Sequence, residues 1–232
     1  MRDGHRGVDF VTVDGGEGGT GAAPLVFADS MSLPFRSGFA RVYRQFAEAG
    51  VADRVTFIGS GKLGMPDNAV AAMALGCDMV NVAREPMFAV GCIQAQKCHT
   101  DRCPPTGVAT QNAWLSRGLD VPSKAERVEQ YLRALRREVL KVAEACGVAH
   151  PSLITAEDVE VADGNRRSVT LAELYGYREG WGSSRCRRPR RDRPHHDCLP
   201  QPGPGRHRIA RCTDEALTDD GGSVRGPYAR RS

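Results

Sequence analysis

The apolar positions change period along the chain, and the changes mark out its elements. Val8 to Val13 is a run rich in β-branched residues that ends at Asp14 and a glycine cluster, the pattern of a buried strand followed by a loop. Beyond the loop, Phe39, Val42, Tyr43, Phe46 and Ala47 recur at helical spacing, with Ser37 placed to cap the helix and Gly50 to end it. The unit then repeats. Arg54 to Ile58 predicts a strand, Gly59 to Gly64 a glycine-rich loop, and Pro66 to Leu75 a helix opened by proline and stopped at Gly76. Met79 to Val82 predicts a third strand. Strands alternating with helices predict an α/β architecture, because parallel neighbours need a crossover and a helix supplies it. Further on, Ser123 and Glu126 have capping-box spacing ahead of a long amphipathic helix whose stripe is Val128, Tyr131, Leu132, Leu135, Val139, Val142 and Ala143, closed by Gly147. His150 to Tyr175 still carries short apolar pairs, Leu153 with Ile154 and Leu171 with Leu174.

From about Arg178 the periodicity stops. The run RCRRPRRDRPHHDCLPQPGPGRHR is arginine, proline and glycine with too little apolar surface to order itself, so residues 177–232 are expected to form a disordered tail. Its abrupt onset resembles out-of-frame translation of a GC-rich gene. The tail also carries most of the excess behind the formal net charge of +4. That concentration argues against a specific nucleic-acid partner, since a solvated arginine run offers phosphate attraction without a reading surface. No apolar run reaches the roughly 20 residues that span a bilayer, and MRDGHRGVDF has no apolar targeting segment, so a cytoplasmic protein with no membrane partner is expected.

Eight cysteines in such a chain point to thiols or metal-bound thiolates rather than a disulfide framework. Three stand together in GCIQAQKCHTDRCPPTGVATQ, where Cys92, Cys98 and Cys103 have the spacing C-x5-C-x4-C and Pro104 follows the last. Three thiolates from one irregular segment suit three irons of a cuboidal cluster, and with no fourth cysteine nearby a [3Fe-4S] centre is favoured over [4Fe-4S]. Two other readings stay open: a zinc site with His99 as fourth ligand, and three unrelated buried thiols. Common zinc spacings set two cysteines two to four residues apart, unlike this segment. Cys77 and Cys146 read as core thiols, and Cys186, Cys198 and Cys212 fall in the tail with His195 and His196.

The loop DGGEGGTGAAP, Asp14 to Pro24, contains a G-x-G-x-x-G match at Gly16, Gly18 and Gly21. A dinucleotide-binding turn also wants an acidic residue ending the next strand, where this chain has Gly59, Ser60, Gly61 and Lys62. The glycines therefore establish only a backbone able to approach a ligand closely, with amides free to meet an anion. GSGK after the second strand and VAREP after the third occupy the positions that make phosphate sites at the end of (β/α)8 barrels, where Arg84 adds a charged fork. Arg84 reads equally well as a solvated surface charge, and for Lys62 a solvated loop lysine is the default reading.

Together these residues resemble the flavin-binding barrel of the glutamate synthase family, from about Gly7 to Asp158. The family loop SGHDGGTGASP is matched at Gly18 to Ala22 and departs at Gly16, Glu17 and Ala23; its cluster segment GC-x5-C-x4-CPVGVATQ is matched at Cys92, Cys98, Cys103, Pro104 and Gly107 to Gln111. The resemblance implies residues 1–176 as the C-terminal part of a (β/α)8 TIM barrel, about three βα units, followed by a cysteine-rich loop and a long helix. It implies FMN, with Gly59, Ser60, Gly61, Ala83 and Arg84 at its phosphate and Gly18, Gly19, Thr20 and Gly21 lining the flavin or substrate side. It further implies a [3Fe-4S] cluster on Cys92, Cys98 and Cys103, reduction of 2-iminoglutarate (from 2-oxoglutarate and ammonia) to L-glutamate, and an electron-donor subunit or ferredoxin as partner. A whole barrel has eight strands and roughly 250 residues, so the earlier strands have no counterpart here. The alternative function is an inactive half-barrel that binds metal or another chain and acts only with a partner.

Overall fold

The architecture is that of a computed structural model, which describes residues 7–17, 25–27, 31–103, 107–162 and 167–182. Three strands, β1 (Phe10–Asp14), β2 (Thr56–Ser60) and β3 (Met79–Asn81), pair in the order β1-β2-β3. Both pairings are parallel. Helix α1 (Phe35–Glu48) joins the first two strands and α2 (Pro66–Ala74) the last two. The expected α/β class with a parallel sheet is what forms. A short helix α3 (Arg84–Ala89) follows β3, then the cysteine segment, the 25-residue α4 (Val121–Ala145), an antiparallel pair β4 (Glu160–Ala162) and β5 (Ser168–Thr170), and α5 (Leu171–Tyr175).

The strands are short, and aromatic packing holds the layer above them. Phe35, Phe39 and Tyr43 lie one helical turn apart on α1 and are buried with Phe57 of β2. Phe57 meets Phe39 and Phe46 edge-on at 6.0 and 5.3 Å, and Tyr43 stacks on Tyr177 at 5.6 Å. The packing runs on past α5. The Tyr177 hydroxyl donates to the Leu75 carbonyl at 2.9 Å, and the Gly182 amide donates to the Tyr43 hydroxyl at 3.0 Å. Burial pushes the Tyr177 phenol well above its ordinary pKa. Gly76 ends α2 at φ +109°, where a Cβ would meet the Tyr43 ring at 2.5 Å, so the α2–β3 corner closes on the ring only with glycine.

Several local expectations are corrected. Ser37 lies inside α1, which starts at Phe35 after Pro34 with no cap from its own neighbours. Ser123 and Glu126 form no capping box: α4 begins two residues earlier, at Val121, with Asp120 before it and Pro122 in its first turn. Strand β2 lies two residues further on than expected, so Gly59 and Ser60 belong to the strand and the loop begins at Gly61. Cys146 is exposed, because α4 buries only the side that carries Val139 and Ala143, while Leu132 on its stripe is 47 % exposed. Cys77 is buried as expected. Of the apolar pairs, Ile154 and Leu171 are fully buried and Leu174 is not. The β4–β5 pair carries too few apolar positions to show a period. Residues 183–232, including Cys186, Cys198 and Cys212, lie outside the described residues, as do Gly18 to Pro24 and Pro104. No helix among the described residues is long and apolar enough to cross a membrane.

Truncating the fully buried ring in Phe39→Ala is expected to cost about 3–5 kcal/mol, whereas Leu132→Ala on the exposed part of α4 should stay within about 0.5 kcal/mol. Urea denaturation of the two variants measures both.

Candidate functional site

Parallel register sets the geometry. Asp14 pairs with Ser60 and Ser60 with Asn81, so three strands finish at one level and their following loops leave from one edge of the sheet. In open α/β sheets that carboxyl edge is where ligands bind. The first loop is tied across it: the Gly15 amide donates to the Ser60 carbonyl at 2.8 Å and the Gly16 amide to the Leu33 carbonyl at 2.7 Å.

Glu17 closes the arrangement. Both its carboxylate oxygens, at 2.9 and 2.8 Å, accept from the Phe35 amide at the start of α1. A carboxylate at a helix N-terminus meets an orphan donor and the positive end of the helix dipole, the role expected of Ser37. Its own carbonyl accepts from Arg84 Nη2 at 3.2 Å. A Cβ on Gly15 would collide with the carboxylate, and one on Gly61 (φ +146°) would lie 3.1 Å from Oε2 and 2.8 Å from Phe35 Cβ. The loop after β1 and the start of α3 thus meet through Glu17 and Arg84, with Gly61 from the loop after β2 packed beside them. Of the expected phosphate residues, Gly59, Ser60, Gly61, Ala83 and Arg84 all lie at this edge. Gly18, Gly19, Thr20 and Gly21 lie outside the described residues.

A second polar group sits behind the β2–α2 loop. Glu85 Oε2 is buried with no hydrogen-bond partner among the described residues, 2.5 Å from where a Cβ on Gly64 would stand. Tyr131 of α4 donates to the Gly64 carbonyl at 2.9 Å. Burial first, and the Glu85 charge second, push the Tyr131 hydroxyl up to about 12. The sequence gives Tyr131 only a place on a helical stripe, so its polar role is invisible there. Nothing local marks Glu17 as the cap of α1, because Ser37 offers the same chemistry nearer the helix and eighteen residues separate Glu17 from Phe35.

The cysteine segment is irregular and locally braced. Gly91 (φ +98°), Gln94, Gln96 and Asp101 (φ +54°, +54° and +57°) take left-handed conformations between α3 and Cys103. Three such non-glycine residues in one short segment store strain of about 1 kcal/mol or more each. Asp101 is the organiser: its carboxylate accepts from the Gln111 amide at 2.6 Å and from the Thr110 hydroxyl at 2.9 Å. Those bonds hold its carboxyl below the usual range. The bracing is therefore complete above the unfolded-state pKa and is lost as pH falls through the lower folded value. Cys92 and Cys98 are half-buried and Cys103 is buried; the Gln94 amide approaches Cys92 Sγ at 3.4 Å. Three soft thiols suit iron and sulfide by chemistry. As folded they are not gathered: among the described residues no three His, Cys, Asp or Glu side chains are placed to hold a metal ion.

Residues 4–149, which span both glycine loops, the cysteine segment and α4, match the family described as the conserved region in glutamate synthase. The chain belongs to the glutamate synthase family. The glutamate synthase large subunit-like protein YerD of Bacillus subtilis is 42 % identical over 151 residues, covering 65 % of this chain and 29 % of that protein. An archaeal glutamate synthase (NADPH) of Methanocaldococcus jannaschii is 34 % identical over 168 residues, covering 71 % of this chain and 31 % of the relative. The match to these two relatives thus spans about three-tenths of their length.

If Glu17 rather than Ser37 caps α1, Glu17→Ala should lower stability by about 1–3 kcal/mol while Ser37→Ala stays within about 0.5 kcal/mol. Thermal and urea denaturation of both variants decide between the two caps.

Proposed function

We propose that this chain forms the phosphate-anchoring and iron–sulfur end of a glutamate synthase-like oxidoreductase, built as the last three βα units of a TIM barrel. The single observation that carries the reading is the convergence of Gly15, Glu17, Ser60, Gly61 and Arg84 on one carboxyl edge, within a chain whose family match runs through the cysteine segment. The Arg84 guanidinium at such an edge, beside the close-approaching backbone of Ser60 and Gly61, suits a phosphate dianion. Gly59, Ser60, Gly61, Ala83 and Arg84 would hold the FMN phosphate, and Gly18, Gly19, Thr20 and Gly21 would line the flavin or substrate side. Arg84, its guanidinium already oriented by the Glu17 carbonyl, brings the charge with little of its side-chain entropy left to lose.

Cys92, Cys98 and Cys103 would hold a [3Fe-4S] cluster, with Asp101 bracing the loop between the second and third ligands. Their sulfurs have to converge for this, and the left-handed residues Gln94 and Gln96 lie where the backbone must turn. Held by these residues, a cluster would supply single electrons and FMN would supply the hydride chemistry that reduction of 2-iminoglutarate to L-glutamate in glutamate biosynthesis needs. The electron donor would be a separate subunit or a ferredoxin. A second reading, a binding module completed by another chain, is favoured by exposed apolar groups: Phe10 at 60 % and Met79 at 51 % on the sheet, and a groove of about 720 Å³ lined by Val90, Val121, Val128 and Leu132.

Anaerobic reconstitution with iron and sulfide should give a brown protein with about three irons per chain, and Cys103→Ser should lose most of that iron. Zinc retained in preference to iron, or iron uptake unchanged by Cys103→Ser, contradicts the proposal.

A further inference from the structure

The loop after β2, residues 61–65, turns the chain from the sheet edge into α2 and is strained where it leaves that edge. Gly61 and Lys62 take φ of +146° and +52° in succession, and a residue with a side chain holds such a conformation only where its surroundings fix it. The next two residues turn inward. Leu63 is 3 % exposed in the core, and Gly64 is buried beside it, so the Gly64 carbonyl needs a partner inside the protein. Tyr131 supplies it at 2.9 Å, reaching in from α4. The Glu85 carboxylate closes the other side, crowding the place where a Cβ on Gly64 would stand. Arg84 and Glu85 therefore diverge at the start of α3, one donating to the Glu17 carbonyl at the edge and the other lying against Gly64. The loop is clamped from behind.

We propose that Tyr131 is a positioning residue for phosphate binding: by holding the Gly64 carbonyl, it keeps the backbone of Gly61 where a phosphate at the carboxyl edge needs it. The inference rests on the function proposed above and adds to it a residue of α4 that acts through the loop rather than on the ligand. Both ends of the loop are anchored. Ser60 is held by the sheet, where its carbonyl accepts from the Gly15 amide at 2.8 Å, and Pro66 opens α2, which has no side-chain cap. Between those ends the Tyr131 bond stands three residues from Gly61, so its loss is felt in the strained turn itself. Helix α4 packs on α2 and α3 and delivers the hydroxyl from a rigid element. Burial and the nearby Glu85 charge keep that hydroxyl protonated throughout the neutral range, so it remains a donor. Without it the Gly64 carbonyl is buried and unpaired, and the loop regains a partner only by turning toward water. That movement takes Gly61 out of place.

Calorimetric titration of the full chain with FMN and with riboflavin, for the parent protein and Tyr131→Phe, tests this. Tyr131→Phe should weaken FMN about fivefold and change riboflavin by less than about twofold, the signature of a fault confined to the phosphate end. Weakening of both flavins alike marks a general loss of structure and overturns the inference, as does FMN binding that the substitution leaves unchanged. A parent protein that binds neither flavin, or binds the two equally, removes instead the phosphate reading on which the inference rests. Should Tyr131→Phe prove too unstable to titrate, NMR of the parent protein decides. FMN should slow amide exchange across residues 61–65 and shift the Tyr131 ring resonances, and riboflavin should do neither. FMN binding that leaves the loop amides and the ring unmoved overturns the inference.

Discussion

Everything at the carboxyl edge depends on one constraint, the parallel register that ends β1, β2 and β3 at Asp14, Ser60 and Asn81. A shift of one residue in any strand would move its side chains to the other face and break the level edge. The strands themselves are too short to enforce this. What enforces it is the aromatic layer, in which Phe57 of β2 is gripped by Phe39, Tyr43 and Phe46 of α1. Asp78 adds a lock by joining β2 to the start of β3: its carboxylate accepts from the Phe57 amide at 2.8 Å, and its own amide donates to the Phe57 carbonyl at 2.9 Å. Core packing and edge chemistry are therefore one system.

Glu17 passes that order on to the loops. It fastens the loop after β1 to the start of α1 and receives Arg84 from the first turn of α3. The glycines beside it are fixed by sterics rather than by a need for flexibility, because Gly15 and Gly61 leave room only for a hydrogen against the carboxylate and Phe35. The cysteine segment is held differently. Asp101 and Thr110 brace one side of it, while Cys92 and Cys98 remain half-buried, an arrangement in which metal binding and loop ordering would be coupled.

Much of this was legible in the sequence, and the failures have physical reasons. The βα alternation, the parallel sheet and the glycine stops at Gly50, Gly76 and Gly147 follow from periodicity and from the left-handed φ that only glycine takes easily. The family match follows from the cysteine spacing and the glycine loop. The caps were misread because Ser37 and Ser123 have the right local chemistry, whereas α1 is capped from eighteen residues away and α4 starts at proline. Cys146 and Leu132 share the helical stripe of Val139 yet stay exposed, since periodicity reports which side faces inward and not how far along the helix the partner extends. Pairings such as Arg84 with the Glu17 carbonyl, or Tyr131 with Gly64, are contacts across 67 residues that no local pattern encodes.

The central claim is that this edge anchors a phosphate. Fluorescence titration of the chain with FMN and with riboflavin, which lacks the phosphate, tests it most directly. The account predicts that FMN binds at least about tenfold tighter than riboflavin and that Arg84→Ala removes most of the difference. Equal affinity for the two flavins, or a preference for FMN that survives Arg84→Ala, would contradict it.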